Sequence, residues 1–206
     1  AALPPASNGV VCVSKLDEDS FVGDEVSRLG TNEFIDGFFP TGHVFLREFH
    51  IEPFPRFVYE TGDVTLEKTL FMPNGKNTVA AIYKVKNHGS SEATVRIYPM
   101  LTCRHFHDVI ESDFSQMSLR QENERRLEMA CIDPKAIITL DATDGNFVLK
   151  SNLVRHLFYR VEAQRGESYL DDCLQPGYFE INALADKVSE FSIVAAADEN
   201  SQECRA

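Results

Sequence analysis

The 206-residue chain has no tryptophan, few basic residues and no apolar run of the roughly 20 residues that a membrane span needs. It carries 20 Lys and Arg against 32 Asp and Glu, a net charge of -12. Nucleic-acid surfaces cluster basic side chains around phosphates, whereas only Arg125 and Arg126 are adjacent here. Neither a membrane nor a nucleic acid is therefore expected as a partner, and the acidity is interpreted as a source of solubility.

The sequence also lacks the short motifs of several enzyme classes. It contains no G-x-G-x-x-G, no G-x-x-x-x-G-K-[ST] and no G-x-S-x-G, so nucleotide binding and serine-hydrolase chemistry have no support. The cysteine count is odd and no C-x-x-C occurs, so neither a disulfide framework nor a zinc site is predicted. The apolar surroundings of Cys12, Cys103 and Cys131 suggest buried free thiols, which favours a reducing cytoplasm. The first residues have no basic segment followed by a long apolar one, so no signal peptide is expected. The cysteines are Cys12, Cys103, Cys131, Cys173 and Cys204.

Strand-like alternation dominates what is present. Apolar residues recur at every second position, which places one face of each segment on a core and leaves the other face wetter. Asn74-Gly75 and Asp144-Gly145 are hairpin dipeptides, because both favour the positive φ angles of tight turns. The predicted strands are 10–13, 44–51, 57–60, 64–72, 79–87, 93–103, 127–132, 136–140, 146–150, 157–164, 178–182 and 190–196.

About a dozen antiparallel strands predict an all-β protein with two packed sheets. Two stretches interrupt the alternation. Residues 108–126 are polar and poor in β-branched side chains, which indicates a long loop or a short helix, and residues 169–176 are a second irregular stretch. Because no repeat and no linker is visible, the sequence favours one domain over residues 1–206.

The first candidate site is the segment Arg104-His105-Phe106-His107, which directly follows a predicted strand. If the strand continued, His105 and His107 would share one side, where two imidazoles bind a metal or act as acid and base. No third ligand lies at a diagnostic spacing, so no metal is predicted. The favoured interpretation is polar residues at a strand end that pair with loop carboxylates such as Asp108 and Glu111. An intermediate reading gives Arg104 and His107 hydrogen bonds to a sugar or to a neighbouring domain.

Carboxylates and aromatic residues are too numerous to select a site by themselves. Hydrolysis of a glycoside needs two carboxyl groups about 5–10 Å apart across a sugar, and no feature of the sequence selects such a pair. Glu60, Glu67 and Glu162 lie on predicted strands and are expected to face solvent or to form ion pairs. The phenylalanine-rich residues 34–59 suit a core better than a sugar-stacking surface. No catalytic residue and no cofactor are therefore predicted.

Several motifs in a fixed order extend over nearly the whole chain, and together they carry a family resemblance. Each is modest alone, but their order and spacing make the set specific. They are V-S-K-L-D-E at 13–18, L-G-T-N-E-F at 29–34, F-H-I-E-P-F-P-R-F at 49–57, T-L-E-K-T-L-F-M at 65–72, Asn77-Thr78, the segment 104–107, E-A-Q-R-G at 162–166, Asp171-Asp172 and Pro176-Gly177. In this set the chain resembles the N-terminal domain of the bacterial and archaeal type of glycogen debranching enzyme.

The resemblance implies a large β-sandwich of the kind shared by glucoamylase N-terminal domains and galactose mutarotase-like proteins, with one or two short helices. In that family the domain precedes an α/α-barrel that carries the catalytic carboxylates, and the full enzyme hydrolyses α-1,6 branch stubs of glycogen-like glucans. The glycine-rich opening of the family, with its Trp-Asn and Arg-Arg-Tyr-His segments, is missing before Ala1, and the barrel is missing after Ala206. The chain is therefore expected to be a truncated N-terminal domain.

The first hypothesis is a non-catalytic domain of a glycoside hydrolase that packs on the barrel and shapes binding of an α-glucan. Its candidate contact residues are Arg104, His105, His107, Glu162 and Arg165, together with the loop 108–126. Two alternatives remain. One is a mutarotase- or epimerase-like sugar enzyme, with His105 or His107 and Glu162 as acid and base. The other is a carbohydrate-binding module.

Overall fold

The computed structural model describes residues 9–111 and 113–198, which contain fifteen strands. Short helices are α1 (Arg160–Arg165) and a 3₁₀ helix (Gly42–Phe45), and no helix in the described ranges is long and apolar enough to cross a membrane. The strands are β1 Val10–Val22, β2 Glu25–Arg28, β3 Thr31–Phe34, β4 Gly37–Thr41, β5 Leu46–His50, β6 Arg56–Glu60, β7 Val64–Phe71, β8 Thr78–Asn87, β9 Ala93–His105, β10 Met117–Asn123, β11 Arg126–Cys131, β12 Ala136–Ala142, β13 Asn146–Phe158, β14 Leu170–Ala183 and β15 Lys187–Asp198.

Two antiparallel sheets form a sandwich, which confirms the predicted all-β class. The smaller sheet has the order β13-β14-β9-β1-β2, and the larger has the order β10-β11-β12-β15-β8-β7-β6-β5. β3 and β4 form a separate two-stranded hairpin. Because neighbours in both sheets are antiparallel, short turns connect many of them without crossover helices.

The core lies between the two sheets and follows the alternation of the sequence. On β8, Ala81, Tyr83 and Val85 are buried, whereas the intervening Ile82 and Lys84 are exposed. The smaller sheet contributes buried side chains such as Ile97 on β9. Burial of one large apolar side chain contributes about 1.5–3 kcal/mol, so this interdigitated layer supplies most of the stabilisation.

Only one of the two predicted hairpins forms. Asn74-Gly75 connects the paired strands β7 and β8, with Gly75 at φ 74°. Asp144-Gly145 connects β12 of the larger sheet to β13 of the smaller one, so it closes no hairpin, although Gly145 has a positive φ of 78°. A side chain at either glycine would strain this left-handed backbone, which explains why these dipeptides predict turns reliably.

Three further predictions of local structure are wrong, and each error has a physical reason. The predicted strand 157–164 ends early, because residues 160–165 are mainly good helix formers and form α1, which closes at Gly166 with φ 75°. Residues 169–176 are not irregular but belong to β14, where buried Asp171 and Asp172 hide the apolar alternation. The stretch 108–126 contains β10, an exposed edge strand whose polar side chains give no apolar pattern.

Candidate functional site

A groove of about 770 Å³ opens where β9 ends, between the loop that follows it and α1. Four of the five residues predicted from the sequence line this groove, namely Arg104, His107, Glu162 and Arg165. The fifth, His105, lies outside the lining. The fold thus brings the end of β9 next to a helix that begins more than fifty positions later in the chain.

Arg104 forms the floor of the groove. Its Nε donates to Oδ2 of Asp171 at 2.9 Å, and its Nη1 donates to the carbonyl oxygens of His105 at 3.2 Å and Phe106 at 3.4 Å. Asp171 is fully buried, and the Arg104 side chain is 10% exposed. The strand-end arginine therefore pairs with a carboxylate of the neighbouring strand rather than with the loop carboxylates that the sequence suggested.

Asp171 holds three parts of the structure together. Besides Arg104, it accepts a hydrogen bond from the Tyr159 hydroxyl at 2.8 Å and one from the backbone N–H of Ile110 at 2.7 Å. The N–H of Asp172 donates in turn to the Ile110 carbonyl at 2.9 Å. One buried carboxylate thus fixes the loop after β9 and the residue that precedes α1.

The Tyr159 hydroxyl is kept as a donor by its surroundings. The pKa of Tyr159 is raised to about 12, mainly by burial and in smaller part by the charge of Asp171 and the hydrogen bond to it. The phenol therefore stays protonated at neutral pH and continues to donate to Asp171.

The two histidines do not share one strand face. β9 ends at His105, and a turn follows in which the N–H of Asp108 donates to the His105 carbonyl at 3.0 Å. The turn places the exposed His107 ring against Phe106, with ring centroids 3.8 Å apart. Among the described residues, no group of three or more His, Cys, Asp and Glu side chains is placed to hold a metal ion.

The outer wall of the groove carries arginine–glutamate pairs. Arg160 holds Oε1 of Glu33 with Nε at 2.9 Å and Nη2 at 2.6 Å. On α1, Arg165 lies 3.5 Å from Glu162, and both side chains are exposed. Exposed pairs of this kind contribute little to stability, so these groups are free to exchange partners with a ligand or another protein surface.

Arg160 and Glu33 were missed as site residues by reasoning from the sequence. Glu33 lies on β3, which is distant in the chain from α1, and a pairing between such distant positions leaves no periodic signal. Glu162 and Arg165 were found only because they lie in a motif of the family resemblance.

The groove combines charges of both signs with aromatic surface. Phe106, Phe158 and Tyr159 supply rings next to the arginines and glutamates of the wall. Hydroxyl-rich ligands bind by such a mixture, because polar groups fix orientation while rings cover apolar faces. Glu33 and Glu162 are each held by an arginine, which suits contact better than acid–base chemistry.

The described cysteines are free and buried, as the sequence indicated for Cys12, Cys103 and Cys131. Burial raises the pKa of Cys12 and of Cys173 to about 12, so both thiols are unreactive at neutral pH. Cys204 lies outside the described residues.

Comparison with known proteins gives one family and a fold. A family model described as glycogen debranching enzyme N terminal matches residues 1–188. No curated protein sequence gives a significant match.

Solved structures share the fold at low sequence identity. A bacterial glucoamylase complexed with acarbose aligns with a TM-score of 0.51 and 12% identity, over 93% of this chain and 28% of that one. A polysaccharide lyase aligns with a TM-score of 0.50 and 10% identity, over 96% of this chain and 27% of that one. The chain thus spans little more than a quarter of either structure, and the likeness concerns the fold alone.

Proposed function

The chain belongs to the glycogen debranching enzyme N-terminal family, and on that basis we propose that it is the non-catalytic β-sandwich domain of an amylo-α-1,6-glucosidase. The full enzyme hydrolyses α-1,6 branch points of glycogen-like glucans in the cytoplasm. Its catalytic carboxylates lie on a C-terminal α/α-barrel, on which this domain packs. The observation that carries the proposal is the family match over residues 1–188.

The groove is the proposed surface for the glucan and the barrel. Arg104, Asp171 and Tyr159 form a buried scaffold beneath it, and the exposed His107, Glu162 and Arg165 lie above that scaffold. Such a floor holds the wall in one arrangement, so contacts with a substrate or a barrel do not have to order the loop first. The backbone carbonyl of His105 accepts a hydrogen bond from Arg104.

The first experiment tests whether the domain is catalytic. The 206-residue chain is incubated with a branched α-glucan limit dextrin, and glucose release is followed. We expect no release. Glucose release that survives purification and disappears when a groove carboxylate is replaced, as in Glu162→Gln, would overturn the non-catalytic assignment.

A second experiment asks whether the groove binds glucan without the barrel. In glycogen affinity gels we expect the chain to be retarded, and Arg165→Ala to reduce the retardation. Arg120→Ala is the matched control, since Arg120 is an equally exposed arginine on the edge strand β10. Mobility unaffected by glycogen would reduce the role of the groove to domain packing.

One observation keeps the mutarotase-like alternative testable, because His107 and Glu162 line the same groove. Opening of an aldose ring needs an acid and a base next to one sugar. Polarimetry on fresh α-glucose decides the point. A rate equal to that of buffer removes this alternative, and a rate lost in both His107→Gln and Glu162→Gln would favour it over the proposed function.

A further inference from the structure

A second hollow of about 460 Å³ lies between the sheets and shares no lining residue with the groove. Its walls come from β1, β5, β6, β7, β8 and β15, together with residues 29–31 and His43. Most of the lining is apolar, with aliphatic side chains such as Leu16, Leu29, Leu70 and Ile193 and the ring of Phe57. The volume lies within the roughly 300–1,000 Å³ of small-molecule sites.

The polar end of this cavity has charges that cancel. Lys68 Nζ donates to Glu18 Oε1 at 2.6 Å, and the Tyr83 hydroxyl donates to the same oxygen at 2.8 Å. Lys15 Nζ lies 2.8 Å from Asp17 Oδ1. Each carboxylate thus has its own ammonium group, so the cavity offers no excess charge to an ion.

The backbone that borders the cavity is also partly occupied. Lys68 donates to the Leu16 carbonyl at 2.9 Å, and Lys15 donates to the Thr31 carbonyl at 2.6 Å. An added polypeptide strand needs a row of free carbonyl and N–H groups. Because two lysines already take carbonyls on this border, the cavity favours a small molecule over an extended peptide.

The hydroxyl of Tyr59 is a polar group in the lining of the cavity. Within residues 9–111 and 113–198, no side chain or backbone group bonds this hydroxyl. The pKa of Tyr59 is raised to about 12, mainly by burial and in smaller part by the charges of Glu18 and Asp17, so the phenol is a neutral donor and acceptor. Such a hydroxyl on a largely apolar wall gives the polar end of a ligand one hydrogen-bond partner.

We propose that the cavity between the sheets binds a small neutral molecule with an apolar body and one hydroxyl or carbonyl group, whose polar end bonds the Tyr59 hydroxyl. A charged ligand would lose its hydration and find no unpaired counter-charge. A sugar would leave most of its hydroxyl groups against aliphatic walls. This site is independent of the glucan role proposed for the groove.

The wild-type 206-residue chain tests the ligand class by saturation-transfer NMR with three probes of related size. Benzyl alcohol is neutral with an apolar body, benzoate is charged, and glucose is a polyol. We expect saturable transfer to benzyl alcohol. We expect neither benzoate nor glucose to bind in this cavity. Binding of benzoate or glucose that benzyl alcohol displaces, or no saturable transfer to benzyl alcohol, would overturn the proposal.

Variants locate the binding. Ala81 lines the cavity, and Ala80 points to the other face of the same strand, so Ala81→Leu fills the cavity and Ala80→Leu is the matched control. Loss of benzyl alcohol binding in the first variant alone supports the site. Equal loss in both, or in neither, overturns it.

A milder variant guards against misfolding of Ala81→Leu. Tyr59→Phe removes one hydroxyl group, and we expect it to weaken benzyl alcohol binding about threefold to tenfold while leaving toluene binding unchanged. An Arg165→Ala variant, altered only in the groove, should bind benzyl alcohol as wild type does. Identical benzyl alcohol affinity in wild type and Tyr59→Phe would contradict the assigned polar contact.

Discussion

The groove and the cavity between the sheets each contain a buried ion pair, but the two ion pairs have different structural roles. In the groove, Asp171 binds Arg104, Tyr159 and the loop backbone, and the exposed charges lie on the wall above. In the cavity, Glu18 and Lys68 are themselves the wall, and they cancel each other. In this molecule, one buried ion pair therefore supports a polar surface above it, and the other lines an apolar cavity without adding net charge.

Replacement of Asp171, the buried carboxylate beneath the groove, should have the largest effect on the free energy of unfolding. Asp171→Asn leaves the Arg104 charge buried without its partner, so we expect a loss of about 3–5 kcal/mol in the free energy of unfolding. Urea denaturation measures this loss. Glu180→Gln is the control, because Glu180 pairs with Arg96 at a half-exposed site and should cost less than about 1 kcal/mol. Equal losses in the two variants would contradict the scaffold role.

The cavity pair should tolerate apolar replacement better than the groove pair. We expect Lys68→Met alone to cost about 2–3 kcal/mol, because Glu18 keeps its charge. The Tyr83 hydroxyl also donates to Glu18, so the double variant Glu18→Leu with Lys68→Met is made in a Tyr83→Phe background, where we expect it to recover most of this loss. In the groove, Arg104→Met with Asp171→Leu should not recover, since the Tyr159 hydroxyl and the Ile110 N–H lose their acceptor. Denaturation of both double variants measures the contrast. Recovery in both or in neither would remove the distinction between the two pairs.

A third carboxylate, Asp19 on β1, shows what happens without a sufficient counter-charge. Burial raises the pKa of Asp19 from 3.8 to about 6, although Arg28 and a hydrogen bond from Tyr98 partly oppose this rise. Between those two pH values the folded state binds more protons than the unfolded state, so the ionisation of Asp19 lowers stability as the pH rises.

Asp19→Asn should remove this dependence. Because Asp19 is partly exposed, we expect the stability of the variant relative to wild type to increase by about 1–2 kcal/mol from pH 4 to pH 6.5. Parallel urea denaturation series across that pH range give the difference directly. A constant or falling difference would show that Asp19 keeps an ordinary pKa in the folded protein.

The smallest effect on stability is expected on the wall of the groove. Arg165→Ala removes an exposed ion pair with Glu162, and the free energy of unfolding should change by less than about 0.5 kcal/mol. Thermal unfolding provides the measurement. A loss as large as that of Asp171→Asn would mean that the wall supports the fold rather than a contact.

The sequence predicts the parts of this structure that depend on local pattern. The alternation of β8 and the turn glycines Gly75 and Gly145 are readable, because each residue responds to its immediate backbone geometry. The sequence pattern places Asp171 in an irregular stretch, since an acidic residue is normally exposed and its partner Arg104 lies 67 positions away.

Some features of the candidate site can likewise be predicted from local sequence pattern, and others cannot. The segment 104–107 attracts attention as polar residues at a strand end, and the groove contains most of it. Whether His105 or His107 lines the groove depends on where β9 ends. The alternation of the sequence does not determine that point. The cavity between the sheets gave no signal, because Lys68 and Glu18 look like ordinary surface charges in a linear sequence.

The central proposal is that the groove, rather than another surface, contacts the proposed catalytic barrel or its glucan. Hydrogen–deuterium exchange with mass spectrometry tests it by comparing the 206-residue chain with the complete polypeptide encoded by its gene. The account predicts slower exchange in residues 104–111 and 158–169 of the complete polypeptide, with unchanged exchange on the exposed edge strand β10. Unchanged exchange in these two segments, with protection elsewhere on the sandwich, would contradict it.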